Sequence, residues 1–301
     1  MHALITGGTG FVGSRLARDL QFPVVLSRGP ERVRRRLGDD AAAFAWQPED
    51  EPAPAAAFDD VDVVYHLAGE PLGDARWDAE KKARIQSSRV LGTRNLIRGL
   101  AQLQRRPRVL VAASAVGYYG DAGDRELDES APPGDSFLAG VCRDWEHEAS
   151  QAAELGIRVV HLRTGIVLGR DGGALARMLP VFRLGLGGKL GDGRQWMPWI
   201  HVGDLVELMK FVATHEGVSG PVNAVAPELV TNAGFTRTLG RVLRRPTVLT
   251  VPAFALRALF GELADSLLIS QRVVPGAAEA AGFQWVFSRL EPALERALGV
   301  R

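Results

Sequence analysis

The chain has 301 residues, 46% hydrophobic and 24% charged, and its 36 Lys and Arg against 35 Asp and Glu leave a net charge of +1. That is the makeup of a globular protein with room for one large α/β domain or two joined ones. The balance leaves no footprint for nucleic acid or an anionic membrane, and no apolar run reaches the ~18 residues of a spanning helix. A single cysteine, Cys142, excludes an internal disulfide, and the absence of a basic-then-apolar leader adds to the expectation of a cytoplasmic protein. The histidines are scattered, none at ligand spacing, so no metal site is expected.

Residues 1–6 read as a buried strand that runs into a glycine turn. Gly7, Gly8, Thr9, Gly10, Phe11, Val12 and Gly13 satisfy G-x-G-x-x-G, and a helical pattern follows from Ser14. Strand, glycine turn and helix in this order open a dinucleotide-binding βαβ unit. The first glycines permit a turn that a Cβ would block, Gly10 lets the backbone approach a pyrophosphate, and Gly13 lets the helix sit close on the strand. The helix N-terminus then offers free N–H groups to the phosphates.

Residues 23–27 form a second strand. At its end an NAD enzyme usually carries an acid for the ribose 2′-hydroxyl. This chain has Ser27 and Arg28 there, with no acid before Glu31. A hydroxyl followed by a guanidinium suits a 2′-phosphate, so NADP(H) is expected in preference to NAD, with Arg32 close by. The proline-bearing stretch 50–57 reads as a linker. Further strands are expected at 61–66, 108–114 and 157–163, with helices over about 79–104 and 137–154. From Gly169 the texture changes, and the glycine-rich stretch 185–193 reads as a surface loop, followed by mixed helices and short strands. Apolar strands alternating with helices predict an α/β, doubly wound parallel Rossmann sheet over 1–170, with 195–226 returning to it. A smaller mixed α/β C-terminal domain on the substrate side fills the rest of 171–301. Ligands lie beyond the carboxyl ends of such strands.

The motifs at 7–13, 66–70, 114–120 and 199–204 together resemble the extended short-chain dehydrogenases/reductases. More closely, with matches at 144–146, 163–169, 223–227, 245–246 and 260–283, the chain is similar to their atypical epimerase-family branch, which has its own small C-terminal domain. The resemblance implies NADP(H) bound along the strand ends, with Leu67 and Ala68 on the adenosine side, Gly69 among the cofactor-binding residues, and Arg84, Arg89 and Val167 approaching the cofactor. From spacing alone, Arg84 and Arg89 read as a solvated helix face.

Ordinary members of that superfamily use Tyr-x-x-x-Lys, in which the lysine lowers the tyrosine pKa for proton transfer near neutrality. Here the tyrosines are Tyr65, Tyr118 and Tyr119, followed four residues on by Gly69, Ala122 and Gly123. Where the pair is expected the chain reads Phe137/Val141 or Leu138/Cys142. Ser114 stands at or next to the family's hydroxyl position, Ala115 being the alternative register. The candidates for the proton step are therefore Ser114, Tyr119 and Tyr118, with the buried thiol of Cys142 expected to be inert. Glu70, Trp199 and His201 are candidate substrate-side residues, Trp196 joins Trp199 as a possible aromatic wall, and Asp204 reads as a helix N-cap. The expected function is an NADP(H)-dependent oxidoreductase or epimerase acting on a small polar molecule, with nucleotide sugars suggested by family analogy only; the intact cleft motifs favour it. The alternative is a catalytically silent NADPH-binding regulator or sensor, which the missing pair favours. Helical surfaces leave room for a homodimer.

Overall fold

The computed structural model describes residues 1–300. In chain order its strands are β1 (Ala3–Thr6), β2 (Val24–Ser27), β3 (Ala42–Ala45), β4 (Val63–His66), β5 (Val109–Ala115), β6 (Glu126–Leu127), β7 (Arg158–Thr164), β8 (Ile166–Leu168), β9 (Gly188–Leu190), β10 (Trp199–His201), β11 (Gly220–Ala224), β12 (Leu249–Val251) and β13 (Arg272–Val273). Seven of them form one sheet in the order β11-β7-β5-β4-β1-β2-β3, and every neighbouring pair in it is parallel. The strand order reverses beside β1, which places the ligand crevice at the glycine turn that follows it.

Period-two alternation divides the apolar residues between the two faces. Ile5, Tyr65, Val111 and Leu162 face α1 (Phe11–Asp19) and α6 (Val202–Thr214), while Leu4, Val64, Leu110 and Ala112 face the opposite layer. Between the first and last of those helices come α2 (Pro30–Leu37), which buries Val33 against Val25, and the long α3 (Ala79–Ala101), α4 (Phe137–Ser150) and α5 (Gly173–Arg183). α3 and α4 cover the second face, with Leu96, Leu100 and Ala149 in that core. Both end earlier than their patterns predict. α4 gives way to a 3-10 turn over Gln151–Leu155, closed by Gly156 in the left-handed region at φ 78°.

The remaining helices are α7 (Asn232–Leu243), α8 (Ala253–Phe260), α9 (Leu263–Leu268), α10 (Gly276–Ala280) and α11 (Leu290–Leu298). A separate core joins Leu175 and Leu179 of α5, Phe235 and Leu239 of α7 and Leu294 of α11 around Trp199. β8 and β10 pair in parallel beside it. No helix among the described residues is long and apolar enough to cross a membrane.

Three local expectations need correction. The stretch 50–57 is not a loose linker. Ala53 and Ala57 are buried, the Ala53 amide donates to Asn95 O, and Asn95 Nδ2 donates to Pro48 O, so the segment is docked along α3. Nor is 185–193 only a surface loop. Its middle forms β9, in register with β12, where a Cβ on Gly188 would lie 2.4 Å from Leu249 O. Asp204 does not cap α6. His201 does, its Nδ1 accepting from the Gly203 amide, while the buried Asp204 carboxylate accepts from the amides of Val286 (3.0 Å) and Phe287 (2.9 Å) and ties the C-terminal segment to this helix. Burial raises the Asp204 pKa, which the two amides partly offset.

Candidate functional site

The glycine turn is built as its chemistry requires. Gly7 sits at φ +73°, its carbonyl accepts from the Gly10 amide at 2.9 Å, and a Cβ on Gly13 would lie 2.3 Å from the same carbonyl oxygen. A Cβ on Gly8 would meet Val25 Cγ1 at 2.8 Å, and one on Gly7 would strike the Leu67 carbonyl group at 2.8 Å and the Ala68 amide at 2.9 Å. Leu67 and Ala68 are thus seated against the turn. α1 begins at Phe11 with Gly10 as a cap that lends no side-chain hydrogen bond, so its first-turn N–H groups remain free for an anion. The Phe11 ring lies against Gly169, Gly172 and Gly173, where Cβ atoms would sit 2.5, 2.4 and 3.4 Å from it, and a Gly173 Cβ would lie 3.1 Å from Val167 O. Phe11 and Val167 are brought to the same side of the turn.

Thr6 and His66, which sequence reasoning missed, lock the ends of β1 and β4 together. Thr6 Oγ1 accepts from the Leu67 and Ala68 amides, both at 3.1 Å, and lies 2.7 Å from His66 Nδ1. With both lone pairs engaged, the hydroxyl proton points to Nδ1, so Nε2 carries the ring proton and donates to Thr93 Oγ1 at 2.9 Å. The signal was present: a threonine and a histidine ending two otherwise apolar strands. Burial pushes the His66 pKa down to about 4 and that of His201 to the same region. A depressed histidine binds fewer protons folded than unfolded, so its stabilisation is full above the ordinary 6.5 and is lost as pH falls toward about 4. Urea midpoints measured from pH 7 to pH 4 should therefore fall steeply across this window; a flat profile would contradict a neutral, buried His66.

At the end of β2 the Ser27 hydroxyl accepts from the Gly29 amide at 3.2 Å and shapes the turn into α2. Arg28 is exposed and has no carboxylate partner among the described residues. A free guanidinium beyond the strand end, a glycine-rich turn and an open helix N-terminus together fit an NADP-type dinucleotide.

The two arginines of α3 differ. Arg84 is exposed and pairs with Glu80, with Glu70 at 3.6 Å. Arg89 is not a solvated charge: it donates to the carbonyls of Ile85 and Glu70, both at 3.1 Å, lies over Trp145, and burial lowers its pKa. The Glu70 carboxylate is held at 2.7 Å by the buried Lys81, which also grips Asp74, while Gly69 packs beside Arg89.

The proton-donor candidates are all deeper or more engaged than the sequence implied, with one exception. Ser114 Oγ donates to Glu146 Oε1 at 2.6 Å, inside the protein. Arg163 grips the same carboxylate through Nε and Nη2, both at 2.9 Å, and its Nη1 donates to Tyr119 Oη at 3.1 Å. Tyr119 in turn donates to Asn223 Oδ1 at 2.6 Å, and burial pushes its pKa up to about 12 against the pull of Arg163. Cys142 is buried, its thiol pushed up to about 11 first by burial and then by Glu146. At the superfamily's tyrosine position, Leu138 packs on Gly117, and Phe137 meets Trp77 edge-on at 5.7 Å between centroids. The exception is Tyr118, half-buried, its ring 3.5 Å from the Arg163 guanidinium and its hydroxyl without a hydrogen bond among the described residues. Two substrate-side expectations fail for the same reason. Trp199 is buried core with Nε1 donating to Glu228 O, and the buried His201 spends Nδ1 on the α6 cap. Trp196 is half-buried and donates to Asp124. No cluster of metal-ligating side chains occurs among the described residues.

Residues 3–225 match the NAD dependent epimerase/dehydratase family. The chain belongs to that family. Residues 251–297 match a domain of unknown function, DUF1731. An epimerase family protein of Mycobacterium leprae is 42% identical over 97% of this chain and 94% of its own length. The human epimerase family protein SDR39U1 (isoform 2), crystallised with NADPH, superposes with a TM-score of 0.90 at 34% identity and full coverage of both chains. UDP-glucose 4-epimerase of Thermotoga maritima, at 20% identity and a TM-score of 0.77 over 98% of this chain and 96% of its own, shares the fold.

Proposed function

We propose that this chain binds NADP(H) along its strand ends and serves as an NADPH-dependent sensor or regulator, without a working proton shuttle of the usual kind. The cofactor reading is supported by the free Arg28 beyond β2, the glycine-rich turn and the NADPH complex of the human relative. The pyrophosphate would lie on the first turn of α1, and Arg28 would face the 2′-phosphate. When bound, the nicotinamide would offer a hydride to a neighbouring carbonyl. The observation that carries the silent reading is the sequestration of the proton donors: Ser114 is spent on Glu146, Tyr119 on Asn223, and Cys142 is buried at a pKa near 11. A hydride acceptor would find no poised acid among them.

The second reading, an NADP(H)-dependent oxidoreductase or epimerase on a small polar molecule such as a nucleotide sugar, is favoured by one observation, the unengaged Tyr118 hydroxyl. The experiment is a fluorescence titration with NADPH and NADH followed by absorbance at the reduced nicotinamide with a panel of carbonyls and nucleotide sugars. Micromolar or tighter NADPH binding with no turnover is expected. Turnover that disappears in Tyr118→Phe would replace the silent reading by the enzymatic one. Arg28→Ala is expected to weaken NADPH about tenfold or more, the worth of one or two charge-assisted hydrogen bonds, and NADH hardly at all; equal losses would remove the assignment of the 2′-phosphate.

A further inference from the structure

The net charge of +1 averages over a chain whose charges are unevenly placed. Between Asp171 and Asp192 there is no acid, and between Glu228 and Glu262 there is none either, while Arg237, Arg241, Arg244, Arg245 and Arg257 fall in the second interval and Arg177, Arg183 and Lys189 in the first. The fold places these two acid-free segments side by side. β9 pairs with β12, and a Cβ on Gly185 would touch Pro246 at 3.5 Å. Arg183, Arg244 and Arg245 have no carboxylate partner among the described residues, whereas Arg241 and Arg257 are paired with Glu291 and Asp265.

The same strip exposes large apolar side chains to water: Leu184 at 75%, Leu186 at 56%, Val248 at 85% and Phe254 at 75%. α8 buries only Leu256 of its eight residues, which leaves a helix whose apolar surface is not satisfied within the protein. Exposure this high means that these side chains protrude. Protruding apolar groups on a strip that carries unpaired cations match the boundary between anionic headgroups and acyl chains, which is fluid and needs no complementary pocket. Two copies of the strip facing each other would oppose arginine to arginine, which disfavours self-association through this face.

We propose that the strip formed by the end of α5, the β9–β12 pair and α8 is a docking surface for an anionic phospholipid membrane, with Leu184, Val248 and Phe254 inserting at the interface and Arg183, Arg244 and Arg245 meeting the lipid phosphates. Cations beside an anionic leaflet attract it over a Debye length and hold the shallow apolar insertion in place. The cofactor site lies on other residues and takes no part in this contact.

The test is co-sedimentation of the full chain with vesicles of phosphatidylcholine alone and of phosphatidylcholine containing phosphatidylglycerol, at low and high salt. Binding is expected on the anionic vesicles only, with a steep fall as ionic strength rises. Arg244→Gln with Arg245→Gln should weaken it about 25-fold, at roughly fivefold per cation removed, and Phe254→Ser about tenfold. Unchanged NADPH titrations and melting temperatures certify that the variants fold. The salt dependence of the unmodified chain tests the idea even where a variant does not fold. No pelleting, equal pelleting on neutral vesicles, or concentration-dependent self-association abolished by the same variants would overturn the proposal, the last in favour of a second copy of the chain.

Discussion

Gly13→Ala is expected to remove dinucleotide binding and to cost about 1–3 kcal/mol of stability, as overpacking against fixed atoms does. The new Cβ would lie 2.3 Å from Gly7 O, 2.9 Å from Gly7 C and 3.0 Å from Gly8 Cα. All three are backbone atoms, so no rotamer change relieves the clash. Either α1 backs away from the strand or the turn opens and breaks the Gly10–Gly7 hydrogen bond. Both movements displace the amides at the start of α1 that would meet the phosphates. Two or three such charge-assisted bonds at about 1.5 kcal/mol each amount to a 100-fold or larger loss in affinity. The control is Gly140→Ala, at a helical glycine in α4 whose Cβ would meet nothing within 4 Å. It should be neutral or stabilising by up to about 1 kcal/mol, with NADPH affinity unchanged. Urea melts and fluorescence titrations of the two variants check both halves. Near-normal affinity in Gly13→Ala would mean that the turn does not hold the pyrophosphate.

The elements that sequence reasoning found are those whose cause is local. The turn at 7–13 announces itself because Gly8, Gly10 and Gly13 answer contacts within the turn or with β2, and the central strands do so because burial on both faces leaves near-continuous apolar runs. β3 escaped because it is a short alanine-rich edge strand with exposed ends and no alternation to read. β9 escaped because its partner β12 lies some sixty residues on and only their pairing makes a strand of a glycine-rich stretch. Asp204 misled for a related reason: an acid at the start of a helix suits a cap, and nothing nearby reveals that Val286 and Phe287 need it more.

The candidate site divides in the same way. Arg28 in place of an acid is a one-position substitution with a direct chemical reading, and the missing Tyr-x-x-x-Lys pair is an absence that can be checked residue by residue. The cluster of Ser114, Glu146, Arg163, Tyr119 and Asn223 draws on β5 and the turn that follows it, α4, β7 and β11, so no spacing encodes it. A partial signal existed. Arg163 interrupts the apolar run of β7 and Glu146 lies on the buried face of α4, and charges in such places demand partners. Had these two been matched, Ser114 and Tyr119 would have read as their supports rather than as proton donors.

That cluster carries the largest expected effect on stability. The Glu146 and Arg163 side chains are 11% and 4% exposed, and breaking a buried pair from one side costs about 3–5 kcal/mol because the remaining charge stays unpaired. Glu146→Ala should reach that range. It strips Arg163 of a bidentate acceptor and Ser114 of its only one, and a guanidinium cannot shed its proton at any accessible pH, so the penalty should be nearly the same at pH 5 and pH 8. Arg163→Met is expected to fall in the same range, because it leaves the Glu146 carboxylate buried without its cation and takes a donor from Tyr119 Oη. The double variant Glu146→Leu with Arg163→Met removes both charges and should be less destabilised than Glu146→Ala alone, although Tyr119 loses one of its two partners. Urea midpoints of the three variants at pH 5 and pH 8 check these values. A double variant no more stable than Glu146→Ala alone would show that the cost does not come from a stranded buried charge, and with it would go the argument that Ser114 is committed to a carboxylate held by Arg163.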